Sequence, residues 1–211
     1  DWQADARRLL DWATLLFAND GWRDYGVVVI NEQTAYQAPG NSHSARQASM
    51  ELRYAELTGD RSRVENAIRM LSWATYMVDS DGKNRYLNDD IWLTDGYGDY
   101  VRHYLRAMGA EPGLAPGNQD HLLRTTSVVQ QVVYEPNRVA YATFDASGEE
   151  VLRINTFPVR HVRVNGRALR RLPDRAALAE RGEGWVYNAP GDAPGVLRIR
   201  RVGGQRVEIV P

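Results

Sequence analysis

The stretch SARQASMELRYAELTGDRSRVENAIRMLSWATYMV, residues 44 to 78, decides the fold class of the first half of the chain. Ser44 followed three residues later by Gln47 has the form of a capping box, and Ala48, Leu52 and Ala55 then recur on one helical face as far as Thr58. Gly59-Asp60 ends that helix and caps the next, in which Val64, Ala67, Ile68, Leu71, Thr75 and Val78 keep the helical period. Trp73 and Tyr76 lie within this second helix and are assigned to packing. Two helices joined by so short a turn fold back antiparallel.

Upstream, Ala6, Leu9, Leu10, Ala13, Leu16 and Phe17 mark an amphipathic helix over residues 4–18, stopped by Asp20-Gly21. A short apolar run, 27–30, leads into a polar stretch over residues 31–42 that has no clear period. Loops of about a dozen residues inside compact domains are uncommon and often functional. Downstream, Trp92-Leu-Thr-Asp-Gly-Tyr-Gly-Asp-Tyr100 sets three aromatics, two carboxylates and two glycines at the start of a fourth helix. That helix is expected from near Asp95 to Met108, with Val101, Leu105 and Met108 inward and Gly109 as its cap.

Residues 111–125, with Pro112, Gly113, Pro116 and Gly117, read as a linker. From 126 onward the period falls to two, and seven short strands are expected over 127–134, 138–144, 150–155, 161–165, 184–187, 195–200 and 205–210. Ser147-Gly148, Asn165-Gly166 and Gly203-Gly204 supply turns, and Arg198 and Arg200 alternate with Leu197 and Ile199, pointing toward solvent. The expected fold is α+β: α-hairpins over residues 1–110, then an antiparallel β-sandwich over 126–211.

Composition narrows the function. Twenty-six basic against 27 acidic residues give a net charge of -1, which argues against nucleic acid or an anionic membrane as a general partner. The sign is uneven: residues 1–120 carry 12 basic and 18 acidic groups, net -6, and residues 121–211 carry 14 and 9, net +5. Two ordinary solvated surfaces account for that, since exposed pairs contribute little. There is no cysteine, hence no disulfide, thiolate metal site or cysteine nucleophile. No apolar run approaches the roughly 20 residues of a membrane span. The chain starts at Asp1 without a basic-then-apolar signal, which suggests a removed leader or a piece of a longer polypeptide.

The helix, Leu57-Thr-Gly-Asp60 turn, helix arrangement, followed by an aromatic and acidic loop before another helix, resembles the α/α-toroid carbohydrate-active enzymes. These are the six-hairpin glycosidases and related lyases and epimerases. The resemblance covers about residues 1–110, and His161-Val-Arg-Val-Asn-Gly166 belongs to a segment that looks like the accessory β-sandwich of such enzymes. It implies a bacterial, secreted enzyme acting on a polysaccharide or oligosaccharide, in the periplasm or outside the cell. A closed toroid needs about a dozen helices and only four are expected here. The resemblance therefore implies further hairpins in an N-terminal region of the same polypeptide.

Glycoside hydrolysis uses two carboxyl groups across the scissile bond, about 5 to 5.5 Å apart for retention and about 6.5 to 9.5 Å for inversion. Asp95 and Asp99 lie four residues apart, and Glu32 comes from the long loop, so Glu32 paired with Asp95 or Asp99 forms the hydrolase candidate. Helix capping by Asp95 and a first-turn position for Asp99 is the competing structural reading. Trp92, Tyr97 and Tyr36 are candidate walls for a sugar ring. The alternative is a polysaccharide lyase: Tyr36 or His43 as base, with Asn41 and Arg46 to neutralise a uronate carboxylate. A third reading is a non-catalytic carbohydrate- or protein-binding module. Asp79, Asp81, Asp89 and Asp90 around Gly82 could offer oxygens to Ca²⁺, but they lack the spacing and closing Glu of an EF-hand, so a solvated acidic turn is preferred and no cofactor is expected. His103, His121 and His161 stand alone and form no zinc pattern.

Overall fold

The computed structural model describes residues 1–35, 37–78, 80–81 and 99–211. It is a mixed α+β chain with its longer helices in the N-terminal half, and it divides into two compact units, Asp1–Glu111 and Pro112–Pro211.

The first unit is built around α2 (Asn41–Thr58). Its buried residues include Ala45, Ala48, Ser49, Leu52 and Ala55, and such small side chains let neighbouring helices come close. Against it pack α1 (Trp2–Phe17), α3 (Val64–Tyr76), α4 (Asp99–Ala110) and the strand β2 (Val29–Ile30), which pairs antiparallel with β1 (Ala18–Asn19). The Gly59 stop is as expected: it is left-handed at φ 80° and its N–H reaches Ala55 O. Asp60 Oδ1 accepts from Ser62 N in the turn that leads to α3. Asn66 of α3 clamps the approach to β2 from the side, accepting from Val28 N at 3.0 Å and donating to Val28 O at 3.1 Å. Trp22 stacks edge-on against the buried Trp73 at 5.6 Å.

Several expected faces are corrected. The N-cap of α2 is Gly40, with no side-chain cap; Ser44 is inside the helix and its hydroxyl serves Ile30, while Gln47 donates to Glu51 at 2.9 Å. The inward face of α4 is His103, Ala107 and Ala110, and the larger Val101 and Leu105 face out. Burying alanines there lets α4 lie close on the alanine and serine face of α2. On α1 only Leu10 is buried; Leu9 and Leu16 join Trp2, Trp12 and Leu15 on an exposed apolar stripe. Tyr76 is exposed rather than packed. No helix among the described residues is long and apolar enough to cross a membrane.

The second unit contains two antiparallel sheets. One has the order β3 (His121–Thr125), β6 (Gly148–Arg153), β10 (Val196–Arg201), β9 (Gly184–Tyr187). The other has the order β4 (Val129–Glu135), β5 (Arg138–Thr143), β11 (Arg206–Val210), β7 (His161–Val164), β8 (Arg167–Ala168). The segment expected as a linker thus holds the first strand of a sheet, and a helix α5 (Arg175–Arg181) lies where no element is expected. Inward side chains of both sheets, among them Val139, Leu152, Trp185, Leu197, Ile199 and Ile209, meet in one core. Asn165-Gly166 forms the two-residue turn between β7 and β8, with φ of 48° and 80°.

Arg200 pairs with the exposed Glu149, whereas Arg198, expected toward solvent, is mostly covered and pairs with the buried Asp192 carboxylate. Arg201 takes the inward face of Leu197 and Ile199 instead, and it and Glu150 have no exposed side-chain surface. Arg201 Nε donates to Glu150 Oε1 at 2.9 Å, and Nη1 donates to Asp145 O and Gly204 O at 2.8 and 2.6 Å. Burial raises the Glu150 carboxyl and the arginine opposes that rise. Removing one partner leaves a buried charge uncompensated, which costs about 3–5 kcal/mol, whereas replacing both by apolar groups is often close to neutral. Arg201→Met should therefore lower unfolding stability by about that amount, and Arg201→Met with Glu150→Leu should recover most of it in urea titrations.

Candidate functional site

The long loop is closed at its base. Asn31 N donates to Phe17 O at 2.7 Å, Gly40 N to Ile30 O at 3.0 Å, and Glu32 N to Ala38 O at 2.9 Å, while Asn31 and Pro39 form a bridge. Asn19 Nδ2 donates to Asn31 Oδ1 at 2.8 Å, tying β1 to the same base. From the helix side Ser44 Oγ accepts from Ile30 N at 3.0 Å. Residues 31–40 therefore leave and return to one point, where α2 begins.

Polar atoms accumulate at that junction without partners among the described residues: Glu32 Oε2, Asn41 Nδ2 and His43 Nδ1 are all buried. Asn41 is only 5% exposed, and its Oδ1 is used by Ser42 N at 2.8 Å, so the amide is fixed with its donor end unpaired. His43 folds back over Gly40, since a Cβ at position 40 would stand 2.7 Å from its Nδ1. Gly40 has an ordinary φ of -93°, so glycine matters here for the space it leaves. Each uncompensated buried polar group costs about 1–3 kcal/mol, and native chains retain such groups where a ligand or a reaction uses them.

A fourth group comes from α4. His103 is 3% exposed and neither ring nitrogen has a partner among the described residues. Burial, with the positive fields of Arg102, Arg106 and Arg46, lowers its pKa to about 4, against a smaller opposing effect of Asp99. It is therefore a neutral imidazole at neutral pH, on the buried face of α4, the helix that packs on α2. By sequence it is a lone histidine; in the structure it shares that face with Ala107 and Ala110.

Of the expected site residues, Glu32, His43 and Arg46 share the α2 junction, with Arg46 exposed. Asp99 stands in the first turn of α4 and is held by Arg102 at 2.5 Å, as the structural reading of that residue requires. Tyr36, Trp92, Asp95 and Tyr97 lie outside the described residues, as do Asp79, Asp89 and Asp90 of the acidic turn. Among the described residues no three carboxylate or histidine side chains are grouped to hold a metal.

Among the described residues, the carboxyl group whose pKa stands furthest from its ordinary value is elsewhere. Glu51, 3% exposed, is raised to about 7 by burial, partly offset by the Gln47 hydrogen bond. It lies ten residues beyond Asn41 along α2, on the order of 15 Å at 1.5 Å per residue, and it engages Arg63 at 3.4 Å. Arg63 also pairs with Asp11, so this network ties α1, α2 and the start of α3 together and is separate from the junction. Comparison with protein-family models, curated proteins and solved structures gives no match.

Two measurements follow. The Glu51 carboxyl holds its proton more tightly folded than unfolded, so its contribution falls as pH rises from about 4.5 to 7, and Glu51→Gln should flatten that part of the stability profile. His103 is displaced the other way: its contribution is present above about 6.5 and is lost as pH falls toward 4, and His103→Gln should remove that loss. Urea midpoints at pH 4, 5.5 and 8 check both signs. Separately, Gly40→Ala should displace the His43 ring and change its ring-proton NMR chemical shifts, with little change in helix content.

Proposed function

We propose that the helical unit processes a saccharide at the junction between the 31–40 loop and α2. The observation that carries this reading is the group of unpartnered buried polar atoms on Glu32, Asn41 and His43. Saccharides present hydroxyl groups that suit such atoms, and the same residue types serve proton transfer to and from sugar carbons and oxygens. The antiparallel α2 and α3 pair with its Gly59 stop supports a partial α/α toroid, and the two sheets sharing one core support an accessory β-sandwich. On this reading further hairpins of the same polypeptide complete the cleft.

Within saccharide chemistry, proton abstraction from a uronate fits the described residues best. In that scheme His43 removes the proton from the carbon next to the carboxylate, and Arg46 and the Asn41 amide hold the carboxylate as charge builds on it. Elimination then breaks the bond to the adjacent glycosidic oxygen, which leaves with a proton supplied by Glu32. Asp99 is already held by Arg102, which weakens it as half of a hydrolytic pair. Hydrolysis remains the second reading, with Glu32 as one carboxyl and Asp95 as the other, supported by the half-buried position and unpaired oxygen of Glu32. A binding module without chemistry is the third.

Product analysis separates them. Elimination produces an unsaturated uronate absorbing in the ultraviolet; hydrolysis produces a reducing end without that chromophore. His43→Ala and Asn41→Ala should each lower turnover of an acidic glycan by about 10²- to 10⁴-fold, with the chromophore appearing in step with chain cleavage. Cleavage without the chromophore, abolished by Glu32→Gln and unaffected by His43→Ala, would establish the hydrolytic reading. Saccharide binding by the longer polypeptide with no turnover would establish the third.

A further inference from the structure

The outer face of the five-stranded sheet forms a concavity of about 990 Å³ that no step above uses. Its shape follows from the register. Ala140 and Ala142 of β5 lie inside the sheet, so the floor is low, and three of their four cross-strand neighbours are long and polar. Ala142 is flanked by Gln131 and Arg206, and Ala140 by Val133 and Glu208, with Arg163 on the far side of Glu208. The register shift between Val129 and Gln131 brings Gln131 opposite Ala142.

The electrostatics are asymmetric. The lining includes Arg138, Arg163 and Arg206 against the single carboxylate of Glu208. Glu208 spends both oxygens on arginines: Oε1 accepts from Arg138 Nε at 2.8 Å and Oε2 lies 3.5 Å from Arg163 Nη1. Arg138 is also held by Glu135, to whose Oε2 its Nη1 donates at 2.8 Å, so the trough draws mainly on Arg163 and Arg206, each guanidinium carrying five N–H donors. Arg206 is exposed, and as a diagonal neighbour of Arg163 on the next strand its Cα lies roughly 7–8 Å away. Gln131, Gln205 and Asn165 add amides that can both donate and accept. Tyr141 is the one aromatic residue of the lining and is 3% exposed, so no ring is offered for stacking.

We infer that this trough is a second binding site, for a chain of acidic sugars. Guanidinium forks match carboxylate or sulfate groups, the amides match hydroxyls between them, and a shallow alanine floor admits sugar rings. A nucleic-acid strand would draw on stacking platforms, which the trough lacks. The unit, residues 112–211, carries 14 basic and 10 acidic groups, a net charge of +4 that draws an anionic chain to it. The choice of a saccharide rests on the reading of the α2 junction; the site itself uses none of the same residues.

The test is calorimetric titration of the 211-residue chain with sodium polygalacturonate, with dextran as the neutral probe and oligothymidylate as the nucleic-acid probe. Polygalacturonate is expected to bind, more weakly as salt is raised, and dextran not to bind. Arg163→Gln with Arg206→Gln, both exposed positions, should weaken polygalacturonate about tenfold or more without lowering the melting temperature. Asn41→Ala with His43→Ala should leave most of this binding intact. The inference is overturned if the double arginine variant binds as before, if dextran binds equally, or if oligothymidylate binds more tightly. If the arginine variant loses binding while the junction variants keep full turnover, the trough stands and the junction reading falls. If only the junction variants lose binding, the reverse holds.

Discussion

The helical unit depends on the burial of α2, a helix whose sequence is not strongly apolar. Ala45, Ala48 and Ala55 are buried together with Asn41, Ser42, Ser44, Ser49 and Glu51. A helix of this kind can be central only if its polar groups find partners locally. Ser49 returns its hydroxyl to Arg46 O at 2.8 Å, Ser44 serves the Ile30 backbone, and Glu51 is held by Gln47 and Arg63. These bonds keep the first turns of α2 in register with β2 and the loop. The groups that this arrangement leaves unpaired are all at one end, which makes that end chemically distinct from the rest of the helix.

Much of the architecture was legible. The antiparallel α2 and α3 pair followed from hydrophobic period and the Gly59-Asp60 stop, and most of the C-terminal strands followed from alternation between turn signals. What the period misjudged was which face turned inward when the apolar residues differed in size. On α4 the sequence favours Val101 and Leu105 by hydrophobicity, while the partner surface on α2, made of alanines and serines, selects Ala107, Ala110 and His103. Ser44 and Gln47 match a local capping pattern, but the backbone of Ile30 and the Glu51 carboxyl compete for the same side chains and win. Both errors have one cause: tertiary partners are invisible to a local pattern.

The candidate site was legible in part for the same reason. Glu32, His43 and Arg46 were marked by an unusually long polar loop beside a helix start, a signal that survives without tertiary knowledge. His103 was not, because a lone histidine has no motif; only its sharing a face with two alanines hinted at burial. In the second unit the inward turn of Arg201 was hidden because its partner Glu150 lies 51 residues earlier in the chain. Local alternation through Arg198 and Arg200 gave no reason to treat the next arginine differently.

The position of β11 carries a consequence for how the chain folds. It is the last strand in sequence and the third of five in its sheet, lying between β5 and β7. Until Arg206–Val210 arrives, β5 and β7 each have an open side, and their inward Val139, Tyr141, Val162 and Val164 lack the Val207 and Ile209 that pack with them. Pairings that span more than 60 residues close slowly, whereas the α2 and α3 pair joins neighbours in sequence. During synthesis the helical unit can collapse early and the sheet unit must wait. In that interval its half-built strands are exposed edges, and the arginines along β5 and β7, Arg138 and Arg163, act as charged guards against the wrong partner.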